Sequence, residues 1–145
     1  MAGRIDGKAY RTIVLVSDAE CQEGAVWEAA LAIHKHHLTN ILVIVDYNHA
    51  QSYGSSHDVL DVEPFAGKWR NFGFDVAEVN GHDVVSLKRV FSQVLRKPNR
   101  PQIVICHTVK GKGIPFVENN MDWHHKTKLT DEEITRLYAG LKGTL

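Results

Sequence analysis

Residues 12–46 read TIVLVSDAECQEGAVWEAALAIHKHHLTNILVIVD, and the order of residue types along this stretch decides the fold. "TIVLVS" at 12–17 is a short β-branched run that stops at Asp18, and "ILVIVD" at 41–46 is a second run that ends on Asp46. Apolar runs of this length, rich in Val and Ile and without polar alternation, are expected as strands buried on both faces. Between them Val26, Ala29, Ala30 and Ile33 recur at helical spacing after Gly24. Strand, acidic turn, helix, strand is a βαβ crossover, which makes the two strands parallel.

The pattern repeats downstream. "FDVAEV" at 74–79 is a further strand, Leu87, Val90, Phe91, Val94 and Leu95 mark one face of a helix, and "QIVICHT" at 102–108 closes the unit. The expected fold is therefore α/β, a parallel sheet with helices on both faces, whose ligands bind beyond the carboxyl ends of the strands. Asp18, Asn48, Gly81 and Lys110 then share one rim, with the polar stretch 48–64 as a loop above it. In "GHD" at 81–83 the glycine ends a strand and Asp83 caps the next helix. Near the end, "KLTDEEITRLYAGL" has Thr130 as N-cap and Asp131, Glu132 and Glu133 in the first turn of an amphipathic helix. The reading is one domain over 1–145, with 127–145 as a C-terminal helical tail and no internal repeat.

Composition narrows the function classes. The 145 residues carry 17 Lys plus Arg against 17 Asp plus Glu and are 43% hydrophobic, which fits neither a disordered chain nor a nucleic-acid footprint. Cys21 and Cys106 are too few for a disulfide framework, and no apolar signal segment precedes the first strand, so a reduced cytoplasm is the expected location. The longest apolar runs are of strand length and do not reach across a bilayer. His34, His36 and His37 cluster on a helix without the Cys or carboxylate companions of a zinc site and are expected to face water. "KGKG" at 110–113 lacks the hydroxyl residue that would make it a phosphate-binding P-loop, so Gly111 and Gly113 are read as turn formers. Trp27, Trp69 and Trp123 are expected as core or interface anchors.

The candidate chemistry sits at the first two strand ends. Asp18 and Asn48, 30 positions apart, project from neighbouring strands. A carboxylate with an amide oxygen is hard ligation suited to Mg²⁺ or Ca²⁺, and Mg²⁺ usually recruits phosphate oxygens as well. The helix start near Gly24 adds dipole stabilisation for the same anion. Acids and amides at strand ends also serve as caps and turn formers, so spacing alone leaves both readings open.

Beyond these residues the chain resembles the N-terminal subunit of split bacterial transketolases, the thiamine-diphosphate enzymes. The match runs from "AGRIDGKAYRTIVLVSDAECQEGAVWEAALAIHKHHLTNILVIVDYN" through "KWRNFGFDVAEVNGHD" to "HTVKGKGIPFVENNMDWHHK". The resemblance implies a thiamine-diphosphate-binding fold, incomplete on its N-terminal side, with about one domain-half more sequence ahead of the stretch matched here. It implies that Asp18, Asn48 and the carbonyl of Ala50 hold Mg²⁺ or Ca²⁺, and that Asp18, Ala19, Glu20, Asn48 and Ala50 form the cofactor site. It also implies catalytic roles for His124, facing cofactor and substrate, and for Glu23 and Glu28, in proton exchange between sites. The implied activity is two-carbon ketol transfer between sugar phosphates, together with a pyrimidine-binding C-terminal subunit that brings the glutamate this chain lacks. Homo- or hetero-oligomers are expected; nucleic acid and membrane are not.

The sequence departs from the family at the same rim. Ser17 and Ala19 flank Asp18 where the family has glycines, and their Cβ atoms are expected to crowd the diphosphate. His49, Ser52, Tyr53 and His125 are atypical as well. Two other readings therefore stand beside the first: a non-catalytic binding or assembly module that has lost cofactor function, and a related ketol-transferring or decarboxylating synthase.

Overall fold

The computed structural model describes residues 1–96 and 99–142, so the final residues 143–145 of the expected tail lie outside the described residues. In chain order the elements are α1 (Ala2–Ile5), β1 (Thr12–Ser17), a 3-10 turn (Glu20–Gln22), α2 (Gly24–Lys35), β2 (Ile41–Tyr47), β3 (Ala50–Gln51) and β4 (Gly54–Ser55). They continue with α3 (Ser56–Val59), α4 (Phe65–Asn71), β5 (Asp75–Asn80), α5 (Val84–Val94), β6 (Gln102–His107), a 3-10 turn (Met121–Trp123) and α6 (Asp131–Lys142). The main sheet has the order β1-β2-β6-β5, and every pair in it is parallel. All four carboxyl ends therefore lie along one edge.

Crossover handedness distributes the helices. The connection β1-α2-β2 lays α2 on the face carrying Val43, Val45, Ile103 and Ile105, where Val26, Trp27 and Ile33 pack against it. The connection β5-α5-β6 runs back in the opposite direction, so α5 covers the other face, with Leu87, Val90, Phe91 and Val94 against Leu42, Val79, Val104 and Cys106. Asp83 caps α5 as its position suggests, Oδ1 accepting from the N–H groups of Val85 and Ser86 at 3.0 and 3.3 Å. Thr130 and Glu133 cap α6 reciprocally: Thr130 N–H donates to Glu133 Oε2 at 3.0 Å, and Glu133 N–H donates to Thr130 Oγ1 at 3.2 Å.

Two expectations need correction. β1 is not buried on both faces: it is the sheet edge, and Ile13 and Leu15 are 57% and 69% exposed. Their register partners Leu42 and Ile44 belong to the face that α5 covers, but α5 sits over the far strands and leaves the β1 side of that face open. The stretch 48–64 is also more than a loop. It folds into the β3–β4 hairpin and the single turn α3, whose Ser55 cap accepts from His57 and Asp58 N–H at 3.2 and 3.4 Å. One further helix has no signal in the sequence: α4 follows Pro64 and is seven residues long, too short for apolar periodicity to announce it.

α4 nonetheless supplies the centre of the larger core. Phe65 and Trp69, one turn apart, are both buried, and the Trp69 ring lies 5.0 Å from Phe74 and 5.1 Å from Trp27. Trp69→Ala is expected to lower the unfolding free energy by about 3–5 kcal/mol. Leu31→Ala, on an α2 position that is 58% exposed, is expected to change it by less than about 0.5 kcal/mol. Urea unfolding of the two variants checks the contrast.

Candidate functional site

The site begins where β1 stops. Asp18 follows the last strand residue, its N–H donates to the carbonyl of Asp46 on β2 at 3.3 Å, and its side chain is wholly buried. Asp18 Oδ2 accepts a short hydrogen bond from the Ser56 hydroxyl, while Oδ1 has no partner. On the neighbouring strand end, Asn48 donates from Nδ2 to Asp46 Oδ2 at 2.8 Å and accepts at Oδ1 from Ala50 N–H at 2.9 Å. That second bond bends the chain after β2 and leaves one lone pair on the Asn48 oxygen. The Thr108 hydroxyl, just past β6, closes on Asp46 Oδ1. Three strand ends are thus tied together through Asp46.

Above this floor lies a pocket of about 370 Å³, lined among others by Ser17, Ala19, Glu20, Glu23, Asn48, Ala50, Lys110 and His124. Of the four buried side-chain polar atoms without a hydrogen-bond partner among the described residues, three belong to this rim: Asp18 Oδ1, Gln51 Nε2 and His124 Nδ1. Buried polar atoms are normally paired, so an unpaired acceptor and two unpaired ring or amide nitrogens at one rim mark a place built for a ligand. The donor set fits a hard cation: a carboxylate oxygen, an amide oxygen and a nearby main chain, with no cluster of three or more His, Cys, Asp or Glu side chains among the described residues. A second depression, about 410 Å³, lies at the opposite, amino edge of the sheet. There Arg4 donates to the carbonyl of His36 and Arg11 to that of Leu95 at 3.1 Å, so these cations serve the C-terminal ends of α2 and α5.

The expected site residues distribute as follows. Asn48 and Ala50 line the pocket with Ala19 and Glu20, while Asp18 is buried at the adjacent strand end and is linked to Asn48 through Asp46, whose carbonyl takes the Asp18 N–H and whose carboxylate takes the Asn48 amide. Glu23 is an exposed rim residue at the N-cap of α2, whereas Glu28 is exposed one turn further along α2 and outside the pocket lining. His124 reaches the pocket from the 3-10 turn after β6. Burial holds its imidazole below the ordinary histidine pKa, and the positive charges of His125 and Lys110 act in the same sense. His34, His36 and His37 are exposed, as expected, but only His34 is in α2; His36 is its C-cap and His37, at φ 48°, lies past its end.

The local chain explains its own departures. Ala19 has φ −64° and ψ −40°, an ordinary right-handed conformation that needs no glycine. Ser17 and Glu20 form a reciprocal cap: Ser17 N–H donates to Glu20 Oε2 at 2.7 Å, and Glu20 N–H donates to Ser17 Oγ at 3.1 Å. Ser-x-x-Glu is the sequence signature of this cap. Ser56 and Gln22 also serve the site: Gln22 Nε2 donates to the carbonyls of Ser56 and Leu60 at 3.0 and 2.8 Å and pins the 56–60 turn over Asp18. No local pattern announces those two. His125 takes φ 59°, the left-handed region that favours glycine, and its Nε2 lies 3.0 Å from Ser52 Oγ.

Residues 5–142 match the family model described as the transketolase thiamine diphosphate binding domain. Curated relatives include two proteins named as subunits of apulose-4-phosphate transketolase. The one from Phocaeicola vulgatus is 37% identical over 86% of this chain and 44% of its own length; the one from Actinobacillus succinogenes is 38% identical over 91% and 48%. The chain thus spans somewhat under half the length of these relatives. Among solved structures, a transketolase from Campylobacter jejuni superposes with a TM-score of 0.74 and 26% identity over 79% of this chain and 18% of that one.

Cys21 lies directly behind the floor, fully buried. Burial, reinforced by the negative charges of Asp18 and Glu20, pushes its thiol from 9.0 up to about 12. A raised folded-state pKa leaves stability unaffected below pH 9 and removes it as pH climbs from 9 toward about 12. The slope there approaches about 1.4 kcal/mol per pH unit. Tyr47, raised in the same direction by burial and by Glu63, steepens the loss. Unfolding measured across that window is expected to show a shallower slope in Cys21→Ala than in the parent chain.

Proposed function

The chain belongs to the family of transketolase thiamine diphosphate-binding domains, and on that premise we propose that it forms the metal and diphosphate half of a two-carbon ketol transferase. The observation that carries this reading is the unpaired, fully buried oxygen of Asp18 at the end of β1, on the strand next to the one that Asn48 follows. A buried carboxylate with one free oxygen gains a large compensating interaction from a cation. Asp18, Asn48 and the Ala50 carbonyl would hold Mg²⁺ or Ca²⁺, and the diphosphate would complete its shell. Ala19 lies at the rim for a close approach of the diphosphate. When bound, thiamine diphosphate supplies the nucleophilic carbon and the electron sink for ketol transfer.

The remaining roles fall to residues around the pocket. His124, without a partner at Nδ1 and with its pKa lowered by burial, can take or give a proton at a substrate hydroxyl or bond a phosphate oxygen. Lys110 supplies positive charge for a sugar phosphate. Glu23 stands at the rim where a second chain would close over it, and Glu28 serves only if that chain also covers α2. A separate pyrimidine-binding subunit is the proposed partner, as the names of the relatives as subunits support. The open side of β1, with Ile13 and Leu15, and the exposed Leu31 favour association over a lone monomer. Two free, buried cysteines suit a reducing compartment such as the cytoplasm; among the described residues no helix is long and apolar enough to cross a membrane.

A second reading rests on one specific contact. The Glu20 carboxylate sits on Ser17 N–H and brings negative charge to the rim, as a scaffold that no longer binds an anion could tolerate. Calorimetric titration of thiamine diphosphate with Mg²⁺ into the chain, alone and with a candidate C-terminal subunit, separates the two readings. Heat of binding in either case supports the enzyme half, and silence in both leaves the module. Asp18→Ala and Asn48→Ala are each expected to abolish Mg²⁺-dependent binding; retention in both would remove the metal assignment. Ser17→Gly with Ala19→Gly is expected to tighten binding if Cβ crowding limits it.

A further inference from the structure

We propose that Lys126 and Glu133 are positioning residues: their ion pair fastens the loop after β6 to α6 and thereby fixes where the His124 ring stands at the rim. This rests on the reading of His124 as the imidazole of the site.

Most bonds of the loop are local; Val109 N–H, donating to His82 Nε2 at 2.7 Å, and His125 Nε2, 3.0 Å from Ser52 Oγ, tie it outward near its two ends. Its first half closes on itself. Gly111, at φ 80°, lies so near Val117 that a Cβ there would come within 2.7 Å of the Val117 carbonyl oxygen, and Lys112 and Gly113 N–H both engage Glu118. In the second half, Trp123 N–H bonds to Asn120, His124 N–H to Met121 and Lys126 N–H to Trp123, all within the loop. These bonds shape the turn without saying where it sits against the sheet. Side chains must decide that.

Their arrangement is a chain of contacts that ends on α6. The Trp123 ring lies 5.4 Å from Phe116 and carries the Lys126 ammonium 4.5 Å from its centroid. Lys126 Nζ then reaches Glu133 Oε1 at 2.5 Å, with both side chains mostly shielded from solvent. Glu133 is itself immobilised, since its other oxygen accepts from Thr130 N–H at 3.0 Å in the helix cap. α6 in turn is seated on the first half of the loop: the Arg136 guanidinium stands 4.5 Å from the Phe116 centroid, and Gly140 lies so close to Ile114 that a Cβ would meet it at 3.1 Å. Phe116 is therefore held between Trp123 and Arg136. His124, adjacent to Trp123, has no partner at Nδ1, so nothing at that atom locks the ring. It is flanked by two ties: His125, 4.1 Å away ring to ring, held at Ser52, and, one residue back, Trp123 through Lys126 to Glu133.

The test uses the whole chain labelled with ¹³C and ¹⁵N and follows the ring Cε1–Hε1 signal of His124 through a pH titration. Lys126→Met and Glu133→Gln each cut the ion pair. Both are expected to move the His124 midpoint upward by roughly half a pH unit or more as the loosened ring hydrates. Charge alone predicts otherwise: losing a nearby cation raises an imidazole midpoint and losing a nearby anion lowers it, so a rise in both variants reports position. Lys126→Arg, which keeps a cation over Trp123 and an ion pair with Glu133, is expected to retain most of the original midpoint. Amide signals of Val45 and Ile103 report whether the sheet is intact. An unchanged midpoint in both single variants, opposite shifts in the two, or loss of the sheet signals along with the His124 change overturns the proposal. Adding thiamine diphosphate with Mg²⁺ to the parent chain judges the site separately. If the His124 signal does not respond, the reading of the rim fails while the brace is still decided by the variants.

Discussion

A carboxylate taken wholly out of water is the constraint around which this molecule is arranged. Asp18 is buried at the end of the edge strand, and its neighbours satisfy only one of its oxygens, through Ser56. Leaving a buried charge half-paired is costly, so the elements around it must either exclude water for a ligand or carry a penalty without return. They are arranged for exclusion. Gln22 pins the turn that carries Ser56, Trp27 Nε1 donates to the Cys21 carbonyl at 2.8 Å to seat the 3-10 turn, and Asn48 shapes the entry to the β3–β4 hairpin. The polar segment 48–64 is ordered because it closes over this one group.

Parallel strands give the two sheet edges opposite electrostatic character. Helices α2 and α5 begin on the carboxyl side, so their positive dipole ends and free N–H groups face the rim. Asp83 and Glu23 stand at those N-termini. At the amino edge the same helices end, and Arg4 and Arg11 cover the last carbonyls. The depression at that edge is lined by Arg4, Lys8 and Arg11, whereas the pocket at the carboxyl edge carries Glu20, Glu23 and Asp46 beside Lys110.

Side-chain bonds close the turn at the rim of this chain. A turn built on glycines relies on the absence of Cβ; here Ser17 and Glu20 close it with side-chain bonds, and Ala19 stays in an ordinary backbone region. This closure keeps Asp18 in place and adds a carboxylate to the rim. At the opposite lip, His125 occupies a left-handed conformation and is held by Ser52, so a residue other than glycine is tolerated at the cost of some strain.

Much of this was legible beforehand. The order of strands and helices, the common rim for Asp18, Asn48 and Lys110, and the caps at Asp83 and Thr130 follow from runs of Val and Ile, helical spacing and capping chemistry, all of which are local properties of the chain. What the sequence did not contain is which strand lies at the edge and what covers each face, because these depend on pairings between residues far apart. Thus Ile13 and Leu15 read as core yet lie open, while Phe65 and Trp69 in a seven-residue helix form the centre of it. The same holds for the site. The residue types that can hold a cation are written at the strand ends, but the burial of Asp18 and the bond from Ser56 that leaves one oxygen free exist only once segments dozens of residues apart are packed together.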